Sequence, residues 1–318
     1  MFNKPSPATI PTMYFIGVTT GQSSIMKMFP LWAKELGIDA CIKGIDLPVH
    51  ADPEDYRAAA QFIKSDPLSM GALVTTHKID MYKAASDLFD YIDPYAQMFG
   101  ELSSISKLDG KFCAHAKDPI TCGMALYAFI PKNYWKNCCG EVCILGAGGS
   151  ALSISAYLAG KKHGENTPSH IHMDNRSAPR LAEAVRILGS LDVPMSFHLC
   201  KTPELNDRVV GALPERSLVV NATGLGKDRP GSPITDKCIF PKNGIIWELN
   251  YRGSLEFMAQ AERQKSDRNL FIEDGWTYFI YGWTQVIAEV FHTDISGERL
   301  RACDRIARQA RGQKRSLL

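Results

Sequence analysis

Val142-Cys143-Ile144-Leu145-Gly146-Ala147-Gly148-Gly149-Ser150-Ala151 decides how this chain is read. A short apolar, partly β-branched run reads as a buried strand, and it stops abruptly at glycine. The small residues are spaced G-x-G-x-x-A. Leu152, Ile154, Ala156 and Leu158 then give an apolar continuation of helical length. Each position has a physical task. Gly146 lets the chain turn off the strand end, Gly148 has no side chain to hold a pyrophosphate away, and Ala151 lets the helix pack closely on the sheet. The helix begins with free N–H groups and the positive end of its dipole. Strand, turn and helix together predict a dinucleotide-binding turn.

Working outward, 318 residues suggest about two domains. Lys plus Arg (36) nearly balance Asp plus Glu (34), for a net charge of +2, which points to neither nucleic acid nor a membrane surface as partner. No apolar run reaches the length of a membrane span. Met1 to Pro11 is proline-rich without an apolar core, so no signal peptide is expected. The nine cysteines are mostly isolated in apolar surroundings, as reduced thiols are in a cytoplasmic protein. Cys138-Cys139 and Cys143 lack zinc spacing, so no metal is expected.

Before the glycine turn, Met13–Val18, Ala40–Leu47 and Gly71–Thr75 read as strands. Ile25–Leu36, Asp52–Ile63 and the stretch from Lys78 to about Phe89 read as helices. Gly37 is placed as a C-cap. Gly100–Ser106 and Lys111–Ala116 form a hairpin around Leu108-Asp109-Gly110, and Gly123–Phe129 reads as a connecting helix. After the turn, strands are expected at Ile171–Asp174, Met195–Leu199, Ser217–Thr223 and Gly244–Leu249. Helices are expected at Ala178–Leu188 and, after Leu255–Arg263, at Gly275–Phe291. Alternating strands and helices predict a mostly parallel α/β architecture. Arg308–Arg315 reads as a short solvated basic tail.

Asp174-Asn175-Arg176-Ser177 closes the strand after the glycine turn, where a Rossmann domain meets the adenosine ribose. Arg176, assisted by Asn175, Ser177 and Arg180, suits a 2′-phosphate, whereas Asp174 suits a free 2′-hydroxyl. The two signals conflict.

The order of motifs resembles the shikimate dehydrogenase family. Gly71 to Lys78 (GALVTTHK) is similar to that family's N-V-T-x-P-x-K. Gly100 to Asp118 resembles its G-A-x-N-T … D-G … N-T-D. Gly146 to Ala151 and Asn175-Arg176-Ser177 match its nucleotide fingerprint and its N-R-[ST]. Asn221-Ala222-Thr223 matches N-A-T, and Glu248 to Tyr251 resembles D-x-x-Y.

The resemblance implies an α/β fold of two domains. Residues 1–123, completed by 275–318, would hold substrate, and 124–274 would form a Rossmann NAD(P)-binding domain with the site in the cleft between them. It implies reversible hydride transfer between nicotinamide and a ring ketone or alcohol of a small cyclic hydroxy acid, as in aromatic amino acid biosynthesis. NADP is the expected cofactor and NAD the alternative. Lys78 and Asp118 would be the acid–base pair. Ser23, Thr75, Ser103, Tyr251 and Gln285 would touch substrate. Gly146, Gly148, Gly149, Ser150, Ala151, Asn175, Arg176, Ser177, Arg180, Asn221 and Thr223 would hold the cofactor. The proton chemistry fits independently, because an ammonium near a ketone stabilises the growing oxyanion and donates its proton.

The departures concern substrate. Ile25 stands at the second serine of the family's S-x-S, leaving Ser24, Gln22 or Thr20 to compensate. Ser103 and Ala116 replace its asparagines, and Gly282 stands where its glutamine falls, with Gln285 about one turn on. A related polyol acid is therefore the alternative substrate, since sites built to pair hydroxyls discriminate strongly. A nucleotide-binding regulator without turnover and an S-adenosylmethionine methyltransferase are rival readings. The methyltransferase needs neither the lysine nor the aspartate segment. His77 and His115 adjoin the proposed catalytic residues, and a satisfied structural histidine is the plainer reading of each. Oligomeric state, a homodimer included, is not legible.

Overall fold

The computed structural model describes residues 3–227 and 229–311. The chain forms two compact units, one built up to Lys117 and again from Gly282, the other from Asp118 to Tyr281.

The first unit contains β1 (Thr12–Gly17), α1 (Ser24–Leu36), β2 (Cys41–Asp46), α2 (Pro53–Ser65), β3 (Ser69–Val74) and α3 (Lys78–Ala85). β4 (Tyr91–Ile92), α4 (Pro94–Phe99), β5 (Ser104–Leu108) and β6 (Lys111–His115) follow. Its sheet runs β2-β1-β3-β5-β6-β4. β1 pairs in parallel with β2 and β3, while β5 is antiparallel to both β3 and β6. Local chemistry explains the boundaries. Gly37 ends α1 at φ 69°, a left-handed conformation that costs glycine little. The Asp52 carboxylate accepts the Glu54 N–H at 2.9 Å, and Pro53 fits the first turn of α2. Asp109 and Gly110 both take positive φ, as a two-residue hairpin turn of type I′ requires. Tyr14, Ile16, Tyr56, Phe62, Val74, Ile105 and Phe112 fill the core.

The second unit contains α5 (Asp118–Phe129), β7 (Val142–Leu145), α6 (Gly149–Leu158), β8 (Ile171–Asn175), α7 (Ala178–Leu188), β9 (Met195–Leu199) and α8 (Pro203–Gly211). β10 (Leu218–Asn221), β11 (Ile245–Glu248), α9 (Glu256–Glu262), α10 (Lys265–Arg268) and β12 (Phe271–Glu273) complete it. All five strand pairs are parallel, in the order β12-β11-β10-β7-β8-β9. Read from β9, this is the doubly wound order 3-2-1-4-5-6, with its switch point between β7 and β10. The central strands β7, β10 and β11 are buried along their whole length and read as nearly continuous apolar runs, because both faces are covered there. The division into units falls inside α11 (Trp276–Phe291), and α12 (Gly297–Arg311) closes the described chain. Within the first unit α12 packs on α1, where the Trp32 indole donates to the Cys303 carbonyl at 2.8 Å.

Several elements depart from the sequence reading. α5 begins at Asp118 rather than Gly123, with Pro119 in its first turn, where a missing N–H costs nothing. β4, α4, α8, β12 and α12 were not anticipated. β4 and β12 are two- and three-residue strands defined by their neighbours' pairing, whereas α12 buries Leu300, Cys303 and Ala307 at helical spacing, a face carried within its charge-rich sequence. Arg308, expected in a solvated tail, instead holds the fully buried Asp304 within α12 at 2.8 Å. α12 takes in that tail as far as Arg311, and 312–315 lie outside the described residues.

Gly71 is the position in β3 that tolerates no side chain. Its φ is +144°, and a Cβ there would lie 2.2 Å from the Ile105 carbonyl oxygen of the adjacent strand. Gly71→Ala should therefore destabilise the protein by about 2–3 kcal/mol in urea unfolding, the scale of strained backbone combined with a displaced strand. A loss within error of zero would contradict this constraint.

Candidate active site

In the first unit, the carboxyl ends of β1 and β3 meet the entry to β5. The Thr75 hydroxyl donates to the Ile16 carbonyl at 3.3 Å, and the Val74 N–H donates to Ser103 O at 2.9 Å. Lys78 opens α3, and its carbonyl accepts the Leu102 N–H at 3.2 Å. Thr75, Lys78 and Ser103 are thus gathered at one end of one sheet. Ser103 is buried, and its hydroxyl accepts the Lys117 N–H at 2.8 Å.

The N-terminal turn departs from what the resemblance implies. Ile25 is fully buried and faces the core with Met28 and Phe29, so nothing polar occupies the second serine position. Thr20 does not compensate freely. Its N–H and hydroxyl both donate to Asp46 Oδ1, at 2.8 and 2.5 Å. Ser23 is half-buried, and Ser24 and Gln22 are exposed. Gln285 donates weakly to the Ile295 carbonyl at 3.4 Å.

Each of the two histidines beside the proposed catalytic residues is held by neighbouring side chains. His77 is 1% exposed, with Nδ1 3.0 Å from the Tyr56 hydroxyl. His115 Nε2 lies 3.1 Å from Glu289 Oε1, and Nδ1 lies 3.6 Å from Asp93 Oδ2. These two carboxylates outweigh burial and raise its pKa above the ordinary imidazole value. Reading the residues near Asp118 alone could not reveal Glu289, which lies 172 positions from Lys117.

In the second unit the glycine turn stands at the switch point. Gly146 has φ +125°, and a Cβ there would sit 2.8 Å from the Ala222 carbonyl oxygen. Gly148 differs: its φ is ordinary, and a Cβ would meet nothing within 4 Å. Gly146 is demanded by the fold, while Gly148 is exposed and the space beside it is open. Gly149, Ser150 and Ala151 form the first turn of α6, whose leading N–H groups have no intrahelical partner. Tyr278 donates to Ser150 Oγ at 3.4 Å. Opposite stands Asn221-Ala222-Thr223. Buried Asn221 donates to Glu248 Oε2 at 2.7 Å and accepts from the Thr223 hydroxyl at 2.7 Å, so it shapes the turn after β10 and leaves Thr223 exposed. Tyr251 packs on Phe279, ring centroids 4.7 Å apart.

The expected conflict at the end of β8 dissolves. Successive strand residues face opposite sides, and Asp174 is turned inward, 2% exposed, with the Cys143 thiol as its polar neighbour at 3.8 Å. It is not presented to a ribose. Asn175 Oδ1 accepts the Ser177 N–H at 2.8 Å and holds the turn, while Arg176 and Arg180 are exposed. Burial lifts the Asp174 carboxyl to about 7, and burial likewise lifts Glu248 to about 7 against three hydrogen bonds that favour its charge.

No family model matches the chain. Shikimate dehydrogenase (NADP(+)) of Streptococcus thermophilus is 29% identical over 180 residues, 55% of this chain and 58% of that protein. The chain thus matches a little over half of that relative's length. Among solved structures, shikimate 5-dehydrogenase of Listeria monocytogenes in complex with shikimate and NAD aligns with a TM-score of 0.71 at 16% identity, over 92% of this chain and 95% of that one. Ligand-free 5-ketofructose reductase of Gluconobacter sp. strain CHM43 aligns with a TM-score of 0.70 at 15% identity, over 95% and 99%. The chain is similar in sequence to shikimate dehydrogenases and shares their two-domain fold.

Two outcomes follow from this geometry. Gly148→Val should fold with an unchanged melting temperature yet lose NADPH binding in a fluorescence titration, because the space it fills is open only in the free protein. Retained NADPH affinity would place the dinucleotide elsewhere. Asp174 carries a folded pKa above its unfolded one, so its stabilising contribution is complete below about pH 4 and lost as pH rises through about 7. Asp174→Asn should therefore gain stability over the wild type between pH 5 and pH 8 in urea unfolding. A difference independent of pH would refute the assignment.

Proposed function

We propose that this chain is an NADP-dependent oxidoreductase acting reversibly on a ring ketone or alcohol of a hydroxylated cyclic carboxylate, shikimate or a related polyol acid. The observation that carries the reading is the switch point of the second unit. There the Gly146–Ala151 turn, the free start of α6 and the exposed Thr223 border the open space beside Gly148. Dinucleotides bind doubly wound sheets at such a crevice. The names of the sequence relatives support NADP and shikimate.

Residues 124–274 are proposed as the nucleotide domain and 1–123 with 275–318 as the substrate domain. Backbone N–H groups of Gly149, Ser150 and Ala151 would face the pyrophosphate. Arg176 would pair with the 2′-phosphate, with Asn175, Ser177 and Arg180 beside it, and the inward turn of Asp174 removes the charge that would oppose this. The bound nicotinamide gives or takes the hydride. Lys78 donates the proton to the developing oxyanion and Asp118 is the other member of the acid–base pair. Ser23, Thr75, Ser103, Tyr251 and Gln285 contact substrate, and Gly146, Gly148, Asn221 and Thr223 shape the cofactor site. With Ile25 buried and Ala116 in place of an asparagine, a polyol acid other than shikimate is the second reading. The nine free cysteines fit a reducing, cytoplasmic setting.

The test is a screen of shikimate, quinate and other cyclic polyol acids with NADP+ and NAD+, followed at the reduced-nicotinamide absorbance. Lys78→Met should lower turnover about a hundredfold or more with NADPH affinity unchanged. Asp118→Asn should also lower it, and the double variant should lose far less than the product of the single effects. Wild-type turnover in Lys78→Met, or full additivity, would refute the pair.

A further inference from the structure

α11 is mostly apolar, and Glu289 is the one charged residue among its sixteen. That carboxylate is largely buried, with its side chain 20% exposed, and it is bound from two directions. Oε2 accepts from the Lys117 ammonium. Oε1 accepts from the Ser106 hydroxyl at 3.3 Å and lies 3.1 Å from His115 Nε2. Asp93 grips the same segment from its other side. Its Oδ2 accepts the Ala116 N–H at 3.0 Å and lies 3.6 Å from His115 Nδ1, while Oδ1 caps α4 at Ala96 N, 2.7 Å away. The Lys117 N–H donates to Ser103 Oγ, and the Ser103 N–H donates to His115 O at 2.9 Å. With His115 protonated, two acids balance two bases.

Every polar group of residues 115–117 named here is thus tied to a neighbour from β5, α4 or α11. The next residue in the chain is Asp118. Desolvating a carboxylate on an apolar helix is costly, and nothing in helix packing alone calls for it. We propose that Glu289 is a positioning residue: through Lys117 and His115 it fixes the end of β6, and hence the backbone that delivers Asp118. The inference rests on the reading of Asp118 given above.

The test compares wild type with Glu289→Gln, Glu289→Asp and the double variant Glu289→Gln/Lys117→Met. Amide hydrogen exchange at Ala116 and Lys117 should quicken about tenfold or more in Glu289→Gln, because a buried ammonium left without its carboxylate disturbs the segment. Turnover of shikimate with NADP+ should fall about tenfold or more, with the KM for NADP+ unchanged, as small displacements of a reacting group do. The double variant, with neither charge, should recover most of both losses, and Glu289→Asp part of them. Unchanged exchange at 116–117 in Glu289→Gln would overturn the proposal. So would quickened exchange with undiminished turnover, or a double variant no better than the single one. A wild-type chain inactive on the whole substrate screen would instead overturn the functional reading, and the exchange comparison would still decide whether Glu289 orders the segment.

Discussion

Everything in the second unit depends on how closely two strands approach at their carboxyl ends. β7 and β10 are parallel neighbours whose following segments leave in opposite directions. The chain can diverge there only if Gly146 turns at φ +125° and leaves room for the Ala222 carbonyl 2.8 Å from where a Cβ would stand. Without that contact the crevice has no floor. Because it is met by a residue without a side chain, the next small residue, Gly148, is released from structural duty and can leave space open. Two glycines in one turn thus answer to different physics: backbone packing demands Gly146, while nothing in the fold crowds Gly148.

The same sheet carries buried acids where apolar residues would be expected, Asp174, Glu248 and Glu273 among them. Glu248 is satisfied: it accepts from Asn221 Nδ2, from the Asn250 N–H and from Asn250 Nδ2, at 2.7 to 2.8 Å. It thereby ties the end of β10 to the segment that follows β11. Asp174 is poorly satisfied, with Oδ1 lacking any hydrogen-bond partner. A group in that state favours its neutral form, and its inward turn leaves the outer end of β8 to Arg176.

The first unit solves a related problem with opposite charges. Asp93, His115, Lys117 and Glu289 are each mostly shielded from water, and none would be stable there alone. Together they bind α4, β6 and α11 around three residues of backbone. At the N-terminal turn Ile25 is buried and Thr20 is bound to Asp46, so that turn is free to differ from the serine pattern that the resemblance implies. A fold shared with a ketofructose reductase is consistent with that freedom, since fold alone does not choose a substrate.

Local pattern was enough for the glycine turn, the parallel rhythm of β7 through β11, the caps at Asp52 and Gly37 and the hairpin at Asp109-Gly110. In each case the cause lies within a few residues: a missing Cβ, a short carboxylate or an apolar run. The sequence also carried the resemblance that named Lys78 and Asp118. Long-range packing decided the rest. Whether Asp174 faced a ribose or the core depended on which sheet face was covered, and strand alternation makes that all-or-nothing. β4, β12 and α12 exist because distant neighbours pair with or pack on them. The Glu289 cluster joins residues more than 170 positions apart, and no local spacing can announce a charge whose partners arrive only when the chain has folded.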